Sequence, residues 1–314
     1  MANTVRSRIK KIFDAIVYQY PLINKILRNL NKAASPITSF RLRPFGVMRV
    51  KLKSGISFFM ETNETNSVTK LLFWNGPDYY EYTRIFEILI SKCRTFIDVG
   101  SNTGYYALLA AKINSNIKVY ALEPASAPLH YLRQNVSLNH MESSIQVFEL
   151  ALADANGEIE FYEVDNYQKG KYNLAGSGTT NPTGDTPGKF KLRMVKSTTL
   201  DDLVNQISIT NIDLVKLDTE GTEHLILKAA NKTLTHYRPI IICETLFHVI
   251  EPELDKIMRN YNYRFYNFKN GKLFKTESLI RDSDNGVRDC FFVPLEKEDW
   301  IQSFVENSVN KIPA

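Results

Sequence analysis

The chain has 314 residues, of which 44% are hydrophobic and 23% charged, enough for one large α/β domain with an appendage or for two modest domains. Its most apolar stretches, such as Pro239 to Cys243, have the length of a strand and fall far short of the ~18 residues that a membrane span needs. The net charge of +5 is concentrated at the start: residues 1–32 carry seven basic residues against Asp14, a balance of +6 that leaves −1 on the remainder. Charge-driven partners therefore belong to the arm rather than to the body. The three cysteines, Cys93, Cys243 and Cys290, lack C-x-x-C spacing and sit in or beside apolar runs, as ordinary buried thiols do. No secretory signal is visible, and a reducing cytoplasm is the expected location.

In chain order, residues 1–45 read as a basic helical arm. Ile9, Ile12, Phe13, Ile16 and Val17 recur at helical spacing, Pro21 ends or kinks that helix, and Leu22 to Leu30 can form a second. Residues 5–30 can pack on their own domain, join a second subunit, or lie at the periphery of an anionic membrane. Alternation from Phe45 to Met60, with Lys53–Ser54–Gly55 as the turn, predicts a hairpin, and a helix is expected from about Tyr79 to Ser91. Residues 46–94 thus lead into a core over 95–295, followed by a tail at 296–314.

Within the core, strands are predicted at Thr95–Val99, Lys118–Leu122, Ile145–Leu150, Leu214–Leu217 and Ile240–Glu244, alternating with helices. Continuous apolar runs of this kind fit strands covered on both faces, hence a mostly parallel, doubly wound α/β sheet. After Tyr261 the pattern becomes Phe265–Phe268, a turn at Asn270–Gly271, and Cys290–Val293, an antiparallel end that brings the sheet to seven strands. Residues 165–190, rich in Gly, Pro, Asn, Thr and Ser, read as an insertion, either substrate-facing or a plain flexible loop.

Three segments carry chemistry. The first, Phe96 to Tyr106, is a strand that ends on Asp98, turns through Gly100 and Gly104, and enters a helix. The two glycines let backbone approach a ligand. Asn102 occupies the place of the second glycine of a dinucleotide G-x-G-x-x-G, and a carboxylate at the strand tip repels a pyrophosphate while attracting an ammonium group. The second segment ends on Glu123, placed about 20 residues after the glycine turn to accept ribose hydroxyls. The third, Asp213 to His224, crowds Asp218, Glu220 and Glu223 around the end of a strand that contains Lys216, and a lysine inside such a strand needs a partner. Glu220 and Glu223 could equally be helix-start residues at an N-terminal dipole.

These residues resemble the FkbM methyltransferases. The resemblance rests on Phe-Ile-Asp-Val-Gly-Ser-Asn-Thr-Gly (96–104), Ala-Leu-Glu-Pro (121–124), Leu-Arg-Gln-Asn (132–135), Ala-Leu-Ala-Asp (151–154) with Gly157, Thr-Thr-Leu-Asp (198–201), and Val-Lys-Leu-Asp-Thr-Glu-Gly-Thr-Glu (215–223). It spans about residues 79 to 268, with Ser101 and Ala153 where the family often has Ala and Gly. It implies a Rossmann-like class I fold and an S-adenosylmethionine-dependent O-methyltransferase acting on hydroxyls of sugars, glycans and related natural products. Carried onto this chain, Asp98, Gly100, Asn102 and Gly104 would line the methionine part of the cofactor, Glu123 would hold the ribose, and Ala151 to Asp154 would border the adenine. Asp218, Glu220 and Glu223 would face or brace the reacting centre, with Lys216 and Glu244 on the acceptor side.

A neutral hydroxyl needs a base, and Asp218, Glu220, His224 and His248 are the candidates, the histidines because they titrate near neutrality. The carboxylates could instead hold a divalent cation, a reading not favoured. Two other readings stay open: a nucleic-acid or protein methyltransferase using the basic arm, and a non-catalytic cofactor-binding module. The first lacks Asn/Asp-Pro-Pro-Tyr/Phe and Pro-Cys motifs, so no nucleic-acid partner is favoured over a small-molecule or glycan acceptor.

Overall fold

The computed structural model describes residues 16–34, 43–165 and 189–306. After a short helical stretch at residues 16–19, α1 runs Pro21–Ala34 and packs on α2 (Ser67–Asn75) and on β1 (Gly46–Lys51), which pairs with β2 (Ser57–Thr62) as a hairpin. Helix α3 (Thr83–Lys92) begins four residues later than the periodicity suggests, because a 3₁₀ turn occupies Pro77–Tyr79.

The core follows as β3 (Thr95–Val99), α4 (Tyr105–Ile113), β4 (Lys118–Leu122), α5 (Ser126–Leu138), β5 (Ile145–Phe148), β6 (Ala151–Leu152), β7 (Gly157–Asp165) and β8 (Lys189–Thr198). It continues with α6 (Leu200–Gln206), β9 (Leu214–Leu217), α7 (Glu223–Lys228), β10 (Ile240–Glu244), α8 (Glu251–Arg259), β11 (Tyr263–Lys269), β12 (Lys272–Thr276) and β13 (Asp289–Pro294). The central sheet has the order β12-β11-β13-β10-β9-β3-β4-β5. Strands β5, β4, β3, β9 and β10 are parallel, and β13 is antiparallel to both β10 and β11. The expected doubly wound sheet is therefore present, with β12 as an eighth strand added at the edge by the Asn270–Gly271 turn.

Both faces are covered, which explains the apolar runs: every residue of β3 is buried. Phe86, Leu108 and Leu132 of α3, α4 and α5 pack on one face, and Leu203, Ile226 and Leu254 of α6, α7 and α8 on the other.

The expected strand Ile145–Leu150 is shorter than predicted. It stops at Phe148, and Ala151–Leu152 join a separate three-stranded sheet of order β6-β8-β7. This sheet, unanticipated from the sequence, is a long antiparallel hairpin in which Gly157↔Ser197 through Asp165↔Lys189 pair. Residues 166–188, nearly all of the anticipated insertion, lie outside the described residues, as do 1–15 of the arm.

Candidate active site

Parallel strands end together, so β3, β4, β9 and β10 present their C-terminal tips along one edge, where α/β sheets bind ligands. A cleft opens there, walled by Gly100, Ser101 and Asn102 after β3, Glu123 after β4, and Asp218, Thr219 and Glu220 after β9.

The glycine turn is built by mutual support. Gly100 adopts φ +71°, and a Cβ placed on it would lie 1.9 Å from the Asp218 carbonyl oxygen. Gly104 adopts φ +91°, with Leu132 beside it, and is not among the residues lining the cleft. Gly100 thus lines the cleft and also makes room for the β9 tip, whereas Gly104, expected to line the cofactor, instead supplies the left-handed step into α4. Asn102, also left-handed at φ 52°, donates its backbone N–H to Glu123 Oε2 at 2.8 Å and accepts from Thr103 N–H at 2.8 Å. Asn135 of α5 braces the turn by donating to the Thr103 carbonyl at 2.9 Å.

Glu123 is buried and lines the cleft. Its other oxygen accepts from Ala125 N–H at 2.8 Å. Burial outweighs these hydrogen bonds and pushes its pKa up to about 7. Each oxygen keeps a further lone pair, as an acceptor of ribose hydroxyls requires.

Lys216 is the hub. Its ammonium lies 2.9 Å from Asp218 Oδ2, 3.8 Å from Asp98 Oδ1 and 3.5 Å from the Gly100 carbonyl oxygen. Burial alone lowers its pKa, but Asp218 and then Asp98 outweigh that, and the net shift is upward. Asp98 is only 1% exposed, and neither of its oxygens has a hydrogen-bond partner. Burial raises its pKa, with Lys216 opposing. Asp98 does not itself line the cleft; Lys216 does. The nearest cation to Asp98 is therefore the protein's own, which revises the expectation of direct pairing with a ligand ammonium.

Glu81, missed in the sequence, also lines the cleft. It sits in the left-handed region at φ 41°, a strained position for a non-glycine residue, and accepts from Tyr106 Oη at 2.9 Å. Its side chain reaches water in the cleft, yet protein encloses it closely enough for desolvation, aided by Asp218, to raise its pKa. A second groove, bounded by Tyr79, Tyr82, Phe268, Asn270 and Lys272, meets the cleft at Glu81. Away from these acids the wall turns apolar, with Leu150, Ala151 and Leu152 joined by Ile159 and Phe161 of β7.

Several other expected residues fall elsewhere. Glu223 is fully buried and turned back on its own loop, accepting from Thr219 N–H at 2.6 Å, Thr219 Oγ1 at 2.9 Å and Gly221 N–H at 3.1 Å. It fixes the turn that carries Asp218 and Glu220 rather than touching the cleft. Asp154 is exposed and does not line the cleft, and His224 and His248 do not either. His248 is an exposed residue whose backbone N–H bonds Glu251. Glu244 lies outside the cleft as well; it is paired in register with Asp289, and burial, then Asp218, pushes its pKa up to about 9. Among the described residues no group of three or more His, Cys, Asp or Glu is arranged to hold a metal ion.

The cleft fits S-adenosylmethionine. An excess of carboxylates over the single Lys216 suits its sulfonium and ammonium, Glu123 suits a ribose, and the apolar wall suits a flat base.

Comparison with known proteins agrees. Residues 98–265 match the methyltransferase FkbM domain. The chain is 25% identical over 164 residues to the 2-O-methyltransferase NoeI of Sinorhizobium fredii, covering 50% of this chain and 65% of that protein. It is 28% identical over 150 residues to a tRNA (guanine(37)-N(1))-methyltransferase of Saccharomyces cerevisiae, covering 46% of this chain and 29% of that one. The chain thus spans less than two thirds of the length of either relative. Among solved structures, a methyltransferase FkbM from Methylobacillus flagellatus aligns with 14% identity and a TM-score of 0.41, over 72% of this chain and 52% of that chain. The N-terminal domain of human METTL16, solved in complex with SAH, aligns with 17% identity and a TM-score of 0.39, over 68% of each chain. The domain match takes in more than half of the sequence, including the glycine turn, Glu123 and the Lys216–Asp218 hub, and the chain belongs to the FkbM methyltransferase family.

Proposed function

We propose that this protein transfers a methyl group from S-adenosylmethionine to a hydroxyl of a sugar, glycan or related natural product. The observation that carries this reading is the meeting of cleft and groove at Glu81, across from Asp218. When bound, S-adenosylmethionine supplies an electrophilic methyl carbon with a neutral thioether as leaving group, so the chain's task is to align the acceptor oxygen and remove its proton. Glu123 holds the ribose hydroxyls, the apolar wall of Leu150, Ile159 and Phe161 covers the base, and Asp98, Lys216 and Asp218 set the charge at the opposite end.

Glu81 and Asp218 divide the work on the acceptor. Lys216 holds Asp218 in place at 2.9 Å, so Asp218 accepts a hydrogen bond from the acceptor hydroxyl. Glu81, with its raised pKa, takes the proton as the new C–O bond forms. Tyr79 offers an exposed aromatic ring and Asn270 an amide beside the partly buried Phe268, a lining suited to a sugar ring. The naming of NoeI as a 2-O-methyltransferase agrees in reaction type.

The test is transfer of radiolabelled methyl from S-adenosylmethionine to neutral oligosaccharides, to tRNA and to protein, run side by side. Label in a base-stable sugar ether supports the proposal. Label in tRNA or protein, with none in any sugar, sinks it.

A further inference from the structure

We infer that helix α1 and the hairpin beneath it form a docking face for an anionic lipid bilayer. The helix Pro21–Ala34 uses one side for the fold: Asn24 is buried and Leu27 packs against the core, while Pro21, Asn24 and Arg28 lie across Met48 and Val50 of β1. Among the described residues nothing covers the opposite side. Leu22, Ile26 and Leu30, spaced four apart, are 70%, 49% and 60% exposed and form one apolar stripe. Tyr20, just before α1, and Leu71, on the adjoining α2, are exposed as well.

Charge decides what covers the stripe. Between Asp14 and Glu61 the sequence contains no acidic residue and eight basic ones. Lys25 is exposed on α1 itself, Arg43 and Lys51 are exposed on the adjoining segments, and Arg49 and Lys51 border α1 on β1. A second copy of this face would bring two positive surfaces together. An apolar partner surface without charge would leave the basic residues unanswered. A bilayer carrying anionic headgroups satisfies both, taking Leu22, Ile26 and Leu30 into the headgroup–acyl boundary while the cations meet the headgroups. Among the described residues no helix is long and apolar enough to cross a membrane, so the mode is attachment in the interface plane. This inference is independent of the methyl acceptor.

The experiment is sedimentation of the full chain with vesicles of phosphatidylcholine alone and with about 30% phosphatidylglycerol added, at low salt and at about 0.5 M salt. The wild type is expected to partition onto the anionic vesicles at low salt and at least tenfold less onto the neutral ones. Leu22→Glu/Ile26→Glu/Leu30→Glu is expected to reduce partitioning at least tenfold, and Lys25→Glu/Lys51→Glu to abolish the preference for anionic lipid. Leu192→Glu/Met194→Glu, on the exposed face of β8, should leave it unchanged. Thermal melts report folding, and Leu22→Glu alone, at the most exposed position, gives the same reading if the triple variant does not fold. Failure of the wild type to bind anionic vesicles, or equal binding by Leu22→Glu, overturns the inference. So does a dimer that the triple variant dissolves in the absence of any lipid binding, because that outcome assigns the stripe to a second copy.

Discussion

A Cβ on Gly100 would stand 1.9 Å from the carbonyl oxygen of Asp218, so the glycine turn after β3 and the acidic tip of β9 are one closely fitted unit. Gly100→Ala cannot be accommodated by a side-chain movement, because the obstacle is backbone and the φ of +71° also disfavours alanine. The substitution should destabilise the fold by about 2 kcal/mol or more and weaken S-adenosylmethionine binding at least tenfold. Urea unfolding and calorimetric titration on the same preparation check both. Unaltered binding would mean that turn and strand tip move independently.

Lys216 answers two carboxylates, and removing it should expose the cost of burying them. Lys216→Met is expected to destabilise the protein by about 3–5 kcal/mol, because Asp98 stays buried without a counter-ion. Adding Asp98→Asn should recover part of the loss, so a double-mutant cycle reports a coupling of about 1 kcal/mol or more. Additive effects would show that the 3.8 Å pair is energetically idle.

Glu123 makes stability depend on pH. Its folded pKa of about 7 lies above the ordinary glutamate value of 4.5. Its contribution is therefore fully present below about 4.5 and is lost as pH rises through about 7, a change of roughly 3 kcal/mol. Glu123→Gln should flatten the pH dependence of unfolding across that window and weaken cofactor binding at pH 8, where the wild-type carboxylate is ionised. Parallel pH profiles for the two proteins would contradict the assignment.

The small sheet is pinned over the apolar end of the cleft by Arg193. Its guanidinium donates to the Pro124 carbonyl at 3.0 Å and Ser126 Oγ at 2.9 Å, and pairs with Glu149 and Glu163. Because these pairs are partly solvent-exposed, Arg193→Ala should cost only about 1 kcal/mol of stability. It should nevertheless raise the dissociation constant for S-adenosylmethionine severalfold, by freeing Ile159 and Phe161 from their place in the wall. Equal losses in melting temperature and affinity would mean that the arginine serves the fold alone.

Glu81→Gln keeps the hydrogen-bond acceptor for Tyr106 but removes the base. Methyl transfer should fall about 10²-fold or more with the cofactor affinity nearly unchanged, and the loss should shrink as pH rises and hydroxide competes. A variant with wild-type turnover would move the base to Asp218 or Glu220.

The sheet was legible because its strands are buried on both faces and so appear as continuous apolar runs, and Asp98, Glu123 and Asp218 could be placed because such strands end together. Glu81 was not: the run Asp78–Tyr82 carries no motif, and its place in the cleft depends on how the chain returns over α4. The β7–β8 hairpin had a signal in the alternation around Ile159 and Phe161 and around Leu192 and Met194, obscured by the Gly- and Pro-rich stretch between its strands. For Glu223 the sequence left facing and bracing open, and the structure shows bracing. A carboxylate that ties its own turn looks, in sequence, like one that faces a ligand. His248 misled because a strand-end position fixes where the backbone is, not whether the side chain enters the cleft.

The most direct measurement is calorimetric titration of the full chain with S-adenosylmethionine, with NAD as the control ligand, repeated on Glu123→Ala and Asp218→Asn. The account predicts micromolar binding of S-adenosylmethionine, none of NAD, and at least a tenfold loss in Glu123→Ala with a smaller loss in Asp218→Asn. Tighter binding of NAD, or binding of S-adenosylmethionine that neither substitution changes, would contradict it.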